Sequence, residues 1–276
     1  MAVLYDLSKA FDKVWREGLL LKVLQAGVSG RMYKWIRCFL HDRSARVKVD
    51  GHLSDSVKMR EGVPQGGVVS PTLFLVYISN ITTVIPRHVS NTLHADDLAI
   101  WSSAEYTTSA ASRIQDAASK VHKWTHDWGL QINQVKTEST VFSLSTTKEQ
   151  VKIKLGDRIL PQAETPIFLG ATLDSRLSWK PQIESIRKRG IQKLALLKRL
   201  SGTHLGASPR ILKTVYTGTV RPTLEYRAST WATAAKTHTN KLNQVQNMGL
   251  RYILGAMKRT PIATMQKTAG VEPLDS

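Results

Sequence analysis

Two aspartates stand side by side in an otherwise apolar stretch: Asp96 and Asp97, with Leu93 before them and Leu98-Ala99-Ile100 behind. A third, Asp6, closes the apolar run Ala2–Tyr5. Thr92–Trp101 reads as strand, turn, strand, which puts the pair at the turn and points both carboxylates from one end of a sheet. If the strand that ends at Asp6 is a neighbour, three carboxylates converge. Their mutual repulsion raises their pKa values unless cations neutralise them. Hard oxygen donors that leave room for water favour Mg2+ over zinc. Two such ions, roughly 3.5–4 Å apart, can activate an attacking hydroxyl and stabilise a leaving oxygen in phosphoryl transfer. On spacing alone, an Asp-Asp pair in a turn is more commonly ordinary turn chemistry.

The elements that must position these residues are legible around them. Leu19–Gln25, stopped by Gly27, and Arg31–His41 read as helices. Val47, Val49, Val57 and Met59 flank Asp50-Gly51 as a hairpin. Gly62–Gly67 is a loop, after which Ser70-Pro71 is expected to cap a helix reaching about Ile85. From Thr107 to Trp128, Ile114, Ala118, Val121, Trp124 and Trp128 recur at helical spacing, an apolar stripe expected in a core. A hairpin follows around Gly156-Asp157, then a strand over Ile167–Leu173. Three helices complete the chain: Pro181–Leu200, Pro209–Val220 and Lys236–Leu254.

Charge divides the same chain. The 276 residues carry 39 Lys and Arg against 21 Asp and Glu, a net of +18. Residues 1–175 hold 21 basic and 17 acidic side chains, whereas residues 176–276 hold 18 and 4. A basic helical segment beside a near-neutral one implies a polyanion partner, nucleic acid above all. No stretch reaches the roughly 18 apolar residues of a membrane span, so no membrane partner is expected. Met1–Tyr5 leads straight into Asp6, Lys9 and Asp12, unlike a secretory signal. The single cysteine, Cys38, can form no internal disulfide and is expected to be a small buried hydrophobe. An intracellular protein fits these features.

Longer patterns surround the three carboxylates. Asp6-Leu7-Ser8-Lys9-Ala10-Phe11-Asp12-Lys13-Val14 resembles the first catalytic motif of non-LTR (LINE-like, jockey- and I-like) retrotransposon reverse transcriptases. Gly62-Val63-Pro64-Gln65-Gly66-Gly67-Val68-Val69-Ser70-Pro71 resembles their nucleotide-site loop and the helix after it, and His94-Ala95-Asp96-Asp97-Leu98 their aromatic-Ala-Asp-Asp turn. Gly129-Leu130-Gln131-Ile132-Asn133 with Lys136-Thr137 is similar to the next motif, and Phe168-Leu169-Gly170 to the primer grip. Arg221-Pro222-Thr223-Leu224-Glu225-Tyr226 with Trp231 is similar to the thumb region. The six patterns occur in order and cover nearly the whole chain.

The resemblance implies an α+β polymerase palm, an antiparallel sheet with packed helices, over residues 1–175. An all-α thumb or connection region follows over residues 176–276. The fingers, which the family places before its first motif, are expected to be missing. The implied activity is RNA-directed DNA polymerisation onto a primer 3′-hydroxyl, with an RNA template, a DNA primer and dNTPs as partners, acting in the nucleus at a genomic target. Asp6, Asp96 and Asp97 would be catalytic and hold two Mg2+ ions, with Mn2+ possible, and the Leu7 carbonyl would be a further ligand. Phe11 would gate the sugar, Gln65 would contact the incoming nucleotide, and Lys136 would stand near the departing pyrophosphate. Phe168, Leu169 and Gly170 would grip the primer. His94 departs from the family, which has Tyr or Phe there. A second reading is a truncated remnant that binds nucleic acid without catalysis. A nucleotide cyclase, another two-metal palm enzyme, fits neither the Pro-Gln-Gly loop nor the basic tail.

Overall fold

The protein is described here from a computed structural model covering residues 1–145, 150–202 and 206–274. It is a mixed helix-and-sheet chain that divides into two compact units, residues 1–164 and 165–276. The packing division and the shift in charge after residue 175 do not coincide. The intervening stretch pairs with the helical unit, where the Thr172 amide donates to Gln182 Oε1 at 2.9 Å. Charge composition records surface chemistry, whereas a packing division follows the buried contacts.

In the first unit the chain runs β1 (Ala2–Tyr5), β2 (Leu7–Ser8), α1 (Arg16–Gln25), α2 (Gly30–Leu40) and a ribbon of β3 to β6 (Ser44–Ala45, Lys48–Val49, His52–Leu53, Val57–Lys58). Then come α3 (Ser70–Ile78), β7 (Ser90–His94), β8 (Asp97–Trp101), α4 (Thr107–Asp127), β9 (Gln131–Ile132), β10 (Glu138–Thr140), β11 (Lys154–Leu155) and β12 (Arg158–Ile159). The central sheet is antiparallel in the order β10-β1-β8-β7. β1 is buried at every position, as its unbroken apolar run requires of a strand paired on both edges. Helix α4 buries Ile114, Ala118, Val121 and Trp124, and Trp128 packs against the same core half-buried.

Three local expectations are corrected in this unit. Ser70 does not cap α3: Val69 is the N-cap, no side chain caps the helix, and the buried Ser70 hydroxyl has no partner among the described residues. The helix ends at Ile78 and continues as tighter 3-10 turns over Ser79–Val84. Cys38 is exposed, because α2 buries only Ile36 and Leu40, and a residue two positions from Ile36 lies on the far side of the helix.

The second unit holds β13 (Ile167–Phe168), β14 (Ala171–Thr172), α5 (Lys180–Leu200) and α6 (Pro209–Val215), then α7 (Arg221–Leu224), α8 (Ala228–Trp231), α9 (Lys236–Leu254) and α10 (Ile262–Ala269). The single strand expected over Ile167–Leu173 is a tight hairpin, with Leu169 (φ 48°) and Gly170 (φ 76°) left-handed at its turn. The helix expected over Pro209–Val220 widens into a π turn at Tyr216–Val220. Helices α5 and α9 approach closely where side chains vanish. A Cβ on Gly190 of α5 would lie 3.2 Å from Val245 of α9, and one on Gly249 of α9 would lie 3.3 Å from Leu194 of α5.

Candidate active site

The site is built from the ends of paired strands. β1 and β8 run antiparallel with Tyr5 opposite Leu98 as the last pair, so Asp6 follows β1 at the same sheet end where Asp97 begins β8. β7 and β8 close with His94 opposite Asp97, leaving Ala95 and Asp96 as the two-residue turn. Ala95 adopts left-handed backbone, φ 54°, which costs an L-residue roughly 1–2 kcal/mol. Asp6, Asp96 and Asp97 are all half-buried. Burial first, then the charges of Asp96 and Asp6, push the Asp97 carboxyl above the ordinary carboxylate range, while His94 opposes them. Asp97 therefore feels the charges of both other carboxylates.

Asp6 is held by its own backbone. Its N–H donates to Thr137 Oγ1 at 3.2 Å, and its carbonyl accepts from the Asn133 amide at 2.8 Å. Pairing of Leu7 with Ile132 continues this clasp, so the strand after Asp6 and the turn Asn133–Thr137 move as one piece. The Lys136 amide donates to the Asn133 carbonyl at 3.1 Å, which leaves the Lys136 side chain exposed on a fixed turn beside Asp6. The Leu7 side chain is buried in the core.

The loop at 61–67 is stitched to the segment after Asp6. The Val63 amide donates to the Phe11 carbonyl at 2.9 Å and the Gly62 amide to the Val14 carbonyl at 2.8 Å. Arg16 donates to the Gly62 and Glu61 carbonyls, and Lys13 pairs with Glu61 at 2.6 Å. Gly62 is obligatory here: its φ is +85°, and a Cβ would lie 2.7 Å from the Asp12 carbonyl oxygen. Gln65 is exposed, and its amide nitrogen donates to Asp12 Oδ1 at 2.9 Å. Phe11 is half-buried with its ring stacked on Phe74, centroids 4.5 Å apart and 21° between planes.

The structure thus gathers Asp6, Asp96, Asp97 and the Lys136 turn at one sheet end, and ties Gln65 and Phe11 to the same strand's continuation. Phe168, Leu169 and Gly170 form the hairpin turn of the second unit. There the Tyr226 hydroxyl lies 3.0 Å from where a Gly170 Cβ would be. Asp12, Asn133, Thr137 and Tyr226 are supporting residues to which sequence reading attached no role. Each lies inside a motif, but its partner is distant in sequence. Among the described residues, no group of three His, Cys, Asp or Glu side chains is placed to hold a metal ion. The side chains at the sheet end nonetheless offer hard carboxylate oxygens, and the repulsion that raises Asp97 is of the sign a divalent cation relieves.

Known proteins can be set beside this geometry. The family model described as "Reverse transcriptase (RNA-dependent DNA polymerase)" matches residues 1–173. The chain is 31% identical over 259 residues to the "Probable RNA-directed DNA polymerase from transposon BS" of Drosophila melanogaster. It is 30% identical over 257 residues to the "RNA-directed DNA polymerase from mobile element jockey" of the same organism. Each match covers 91% of this chain and 28% of the relative, so the chain spans little more than a quarter of their length. Among solved structures, apo telomerase from Candida tropicalis superposes with a TM-score of 0.50 at 11% identity. That match covers 96% of this chain and 43% of the telomerase, a likeness of fold alone.

Proposed function

The chain belongs to the reverse transcriptase (RNA-dependent DNA polymerase) family, and we propose that it carries the nucleotidyl-transfer centre of a non-LTR retrotransposon RNA-directed DNA polymerase. The observation that supports this most directly is Asp6, Asp96 and Asp97 at one end of two paired strands, with Asp97 sensing both others. On this reading residues 1–175 are the palm and residues 176–276 the thumb. The partners are an RNA template, a DNA primer and dNTPs, met at a genomic target in the nucleus.

Asp6 and Asp96 would hold two Mg2+ ions, with Mn2+ able to substitute, Asp97 completing the cluster and the Leu7 carbonyl a further donor. When bound, such ions supply Lewis-acid activation of a hydroxyl and charge stabilisation at a leaving oxygen. The chain's own residues do the rest. The Thr137 and Asn133 clasp fixes the backbone of Asp6, so its carboxylate is positioned before substrate arrives. Gln65, steadied by Asp12, presents an amide to the incoming nucleotide. Phe11, backed by Phe74, excludes a 2′-hydroxyl by lack of room. Lys136 offers a proton and a positive charge to the departing pyrophosphate. The Leu169–Gly170 turn, backed by Tyr226, holds the primer strand.

The test is primer extension on an RNA template by this chain and its Asp96→Asn and Asp97→Asn variants. Each substitution should lower extension by about a thousandfold or more, the equivalent of several kcal/mol of charge stabilisation. Binding of a primer–template hybrid should stay within about twofold, because the basic helices are untouched. Retained extension in either variant rejects the assignment.

A further inference from the structure

Helix α2 carries a feature that the catalytic reading leaves unused. Its outward surface is cationic and aromatic at once: Arg31, Lys34, Trp35 and Arg37 are exposed, and only Ile36 and Leu40 are buried. No acidic residue lies between Val28 and His41. The side chains of Arg31, Lys34 and Arg37 make no hydrogen bond or ion pair among the described residues. Like charges three residues apart on a helix repel, and a helix selected only for solubility intersperses carboxylates to pair with them. At about 100° per residue, Arg31 and Lys34 lie on either side of the outward face, with Trp35 beside Arg31. Trp35 keeps 49% of its surface open, and its ring lies parallel to Phe39, centroids 5.4 Å apart and 11° between planes.

Phe39 connects this pair to the site. A Cβ on Gly67 would come 3.3 Å from Phe39 Cζ, so the aromatic pair leads outward from the Gln65–Gly67 loop. We propose that the Trp35–Phe39 pair, flanked by Arg31, Lys34 and Arg37, is a stacking platform for the unpaired strand of nucleic acid entering the site. The chemistry is that of sequence-tolerant single-strand binding. An aromatic face accepts any base, while neighbouring cations track the phosphates. Charge complementarity names a polyanion, and an open indole names one with free π-faces, which a duplex interior lacks. The platform borders the loop assigned to the incoming nucleotide, so the strand engaged is the template ahead of the paired region. This placement rests on the proposed function; the binding itself does not.

The chain supplies its own reporter. Cys38, its only cysteine, is exposed on the same outward face, so its rate of alkylation reads occupancy of the platform without any substitution. The experiment compares an RNA–DNA hybrid bearing a single-stranded RNA overhang of about ten nucleotides with a blunt hybrid, a DNA overhang and heparin. The overhang, of RNA or DNA, should slow alkylation of Cys38 by about tenfold at saturation, and the blunt hybrid should leave it within about twofold. Trp35→Ala should weaken overhang binding about tenfold, near the low end for one stacked base, with blunt-hybrid affinity unchanged. Trp35→Phe should restore most of it. Arg31→Glu should weaken overhang binding and flatten its salt dependence. Equal protection by blunt hybrid or heparin, or full overhang affinity in Trp35→Ala, overturns the platform. Protection without extension would leave the platform standing and count against the catalytic reading. Extension without protection does the reverse.

Discussion

Lys22 offers the sharpest test of how the core behind the site is held. It lies on α1 at 5% exposure, with no carboxylate partner among the described residues. Its ammonium sits 3.5 Å from the centroid of the Trp128 ring, 4.8 Å from that of Trp124 and 5.1 Å from that of Tyr77. It donates to the Tyr77 carbonyl and to Asn80 Oδ1. Burial pushes its pKa down to about 8 from an ordinary 10.5. At about 1.36 kcal/mol per unit, the shift corresponds to roughly 3 kcal/mol of disfavour for the charged form. The sign follows from proton counting. Between pH 8 and 10.5 the unfolded chain holds this proton more firmly than the folded one, so stability rises with pH there and is flat below about 7. The perturbation is Lys22→Met, which keeps the stem and removes the charge. At pH 7 the net change should be small, within about 2 kcal/mol. The relieved burial of a cation is offset by the lost charged hydrogen bonds and ring contacts. The decisive quantity is the difference between the two proteins in urea unfolding, followed by tryptophan fluorescence from pH 7 to 10. Tyr77 stays protonated throughout, its own pKa raised to about 12 by burial. The wild-type chain should gain about 2–3 kcal/mol on the variant across that range. A flat difference would falsify the reasoning, because the rings and acceptors would then hold the ammonium at its ordinary affinity for protons.

Two further outcomes follow from the site's geometry. Ala95→Gly should raise stability by about 0.5 kcal/mol, the relief of a left-handed alanine less the extra chain entropy of glycine; a lower urea midpoint would contradict the backbone at the Asp96 turn. Phe11→Val should relax discrimination against ribonucleotides and cost about 1–2 kcal/mol of stability as the stack on Phe74 is lost. Unchanged sugar selectivity would reject Phe11 as the gate.

Local pattern made the long elements legible. The stripe Ile114, Ala118, Val121, Trp124 has one solution, and α4 is found within a residue of where the spacing puts it. The Thr92–Trp101 hairpin was legible for the same reason: an apolar run broken by a polar pair can fold back only there. Misreadings cluster where tertiary contact overrides local preference. Ser70-Pro71 has the chemistry of a helix start, yet the hydroxyl is buried beside Gly67 rather than turned to the helix amides. Cys38 is a small hydrophobe by type, but α2 turns it outward because Ile36 and Leu40 already claim the inner face. Ile167–Leu173 is apolar but for Thr172, and only the left-handed pair Leu169-Gly170 reveals a turn. Short strands such as β2 and β9 carry no signal of their own, since two residues cannot display a period.

For the site the division is of another kind. The acidic residues were legible by type, because carboxylates between apolar runs are rare and have few uses. What positions them was not. The Thr137 hydroxyl that accepts from Asp6 lies 131 residues away in sequence, and the Asp12 carboxylate that holds Gln65 lies 53 away. Such pairs are created only when the sheet and the loop close on each other. This separates two kinds of dependence within one site. Changing a carboxylate alters charge at the sheet end and leaves the fold's hydrogen bonds intact. Changing Thr137 removes an acceptor from a buried region and leaves every charge in place. On the proposed function, the clasp sets where Asp6 points, while the carboxylates set what can be bound there. The Thr137 hydroxyl, at 0% exposure, cannot itself reach a substrate, so its part is confined to the backbone of Asp6.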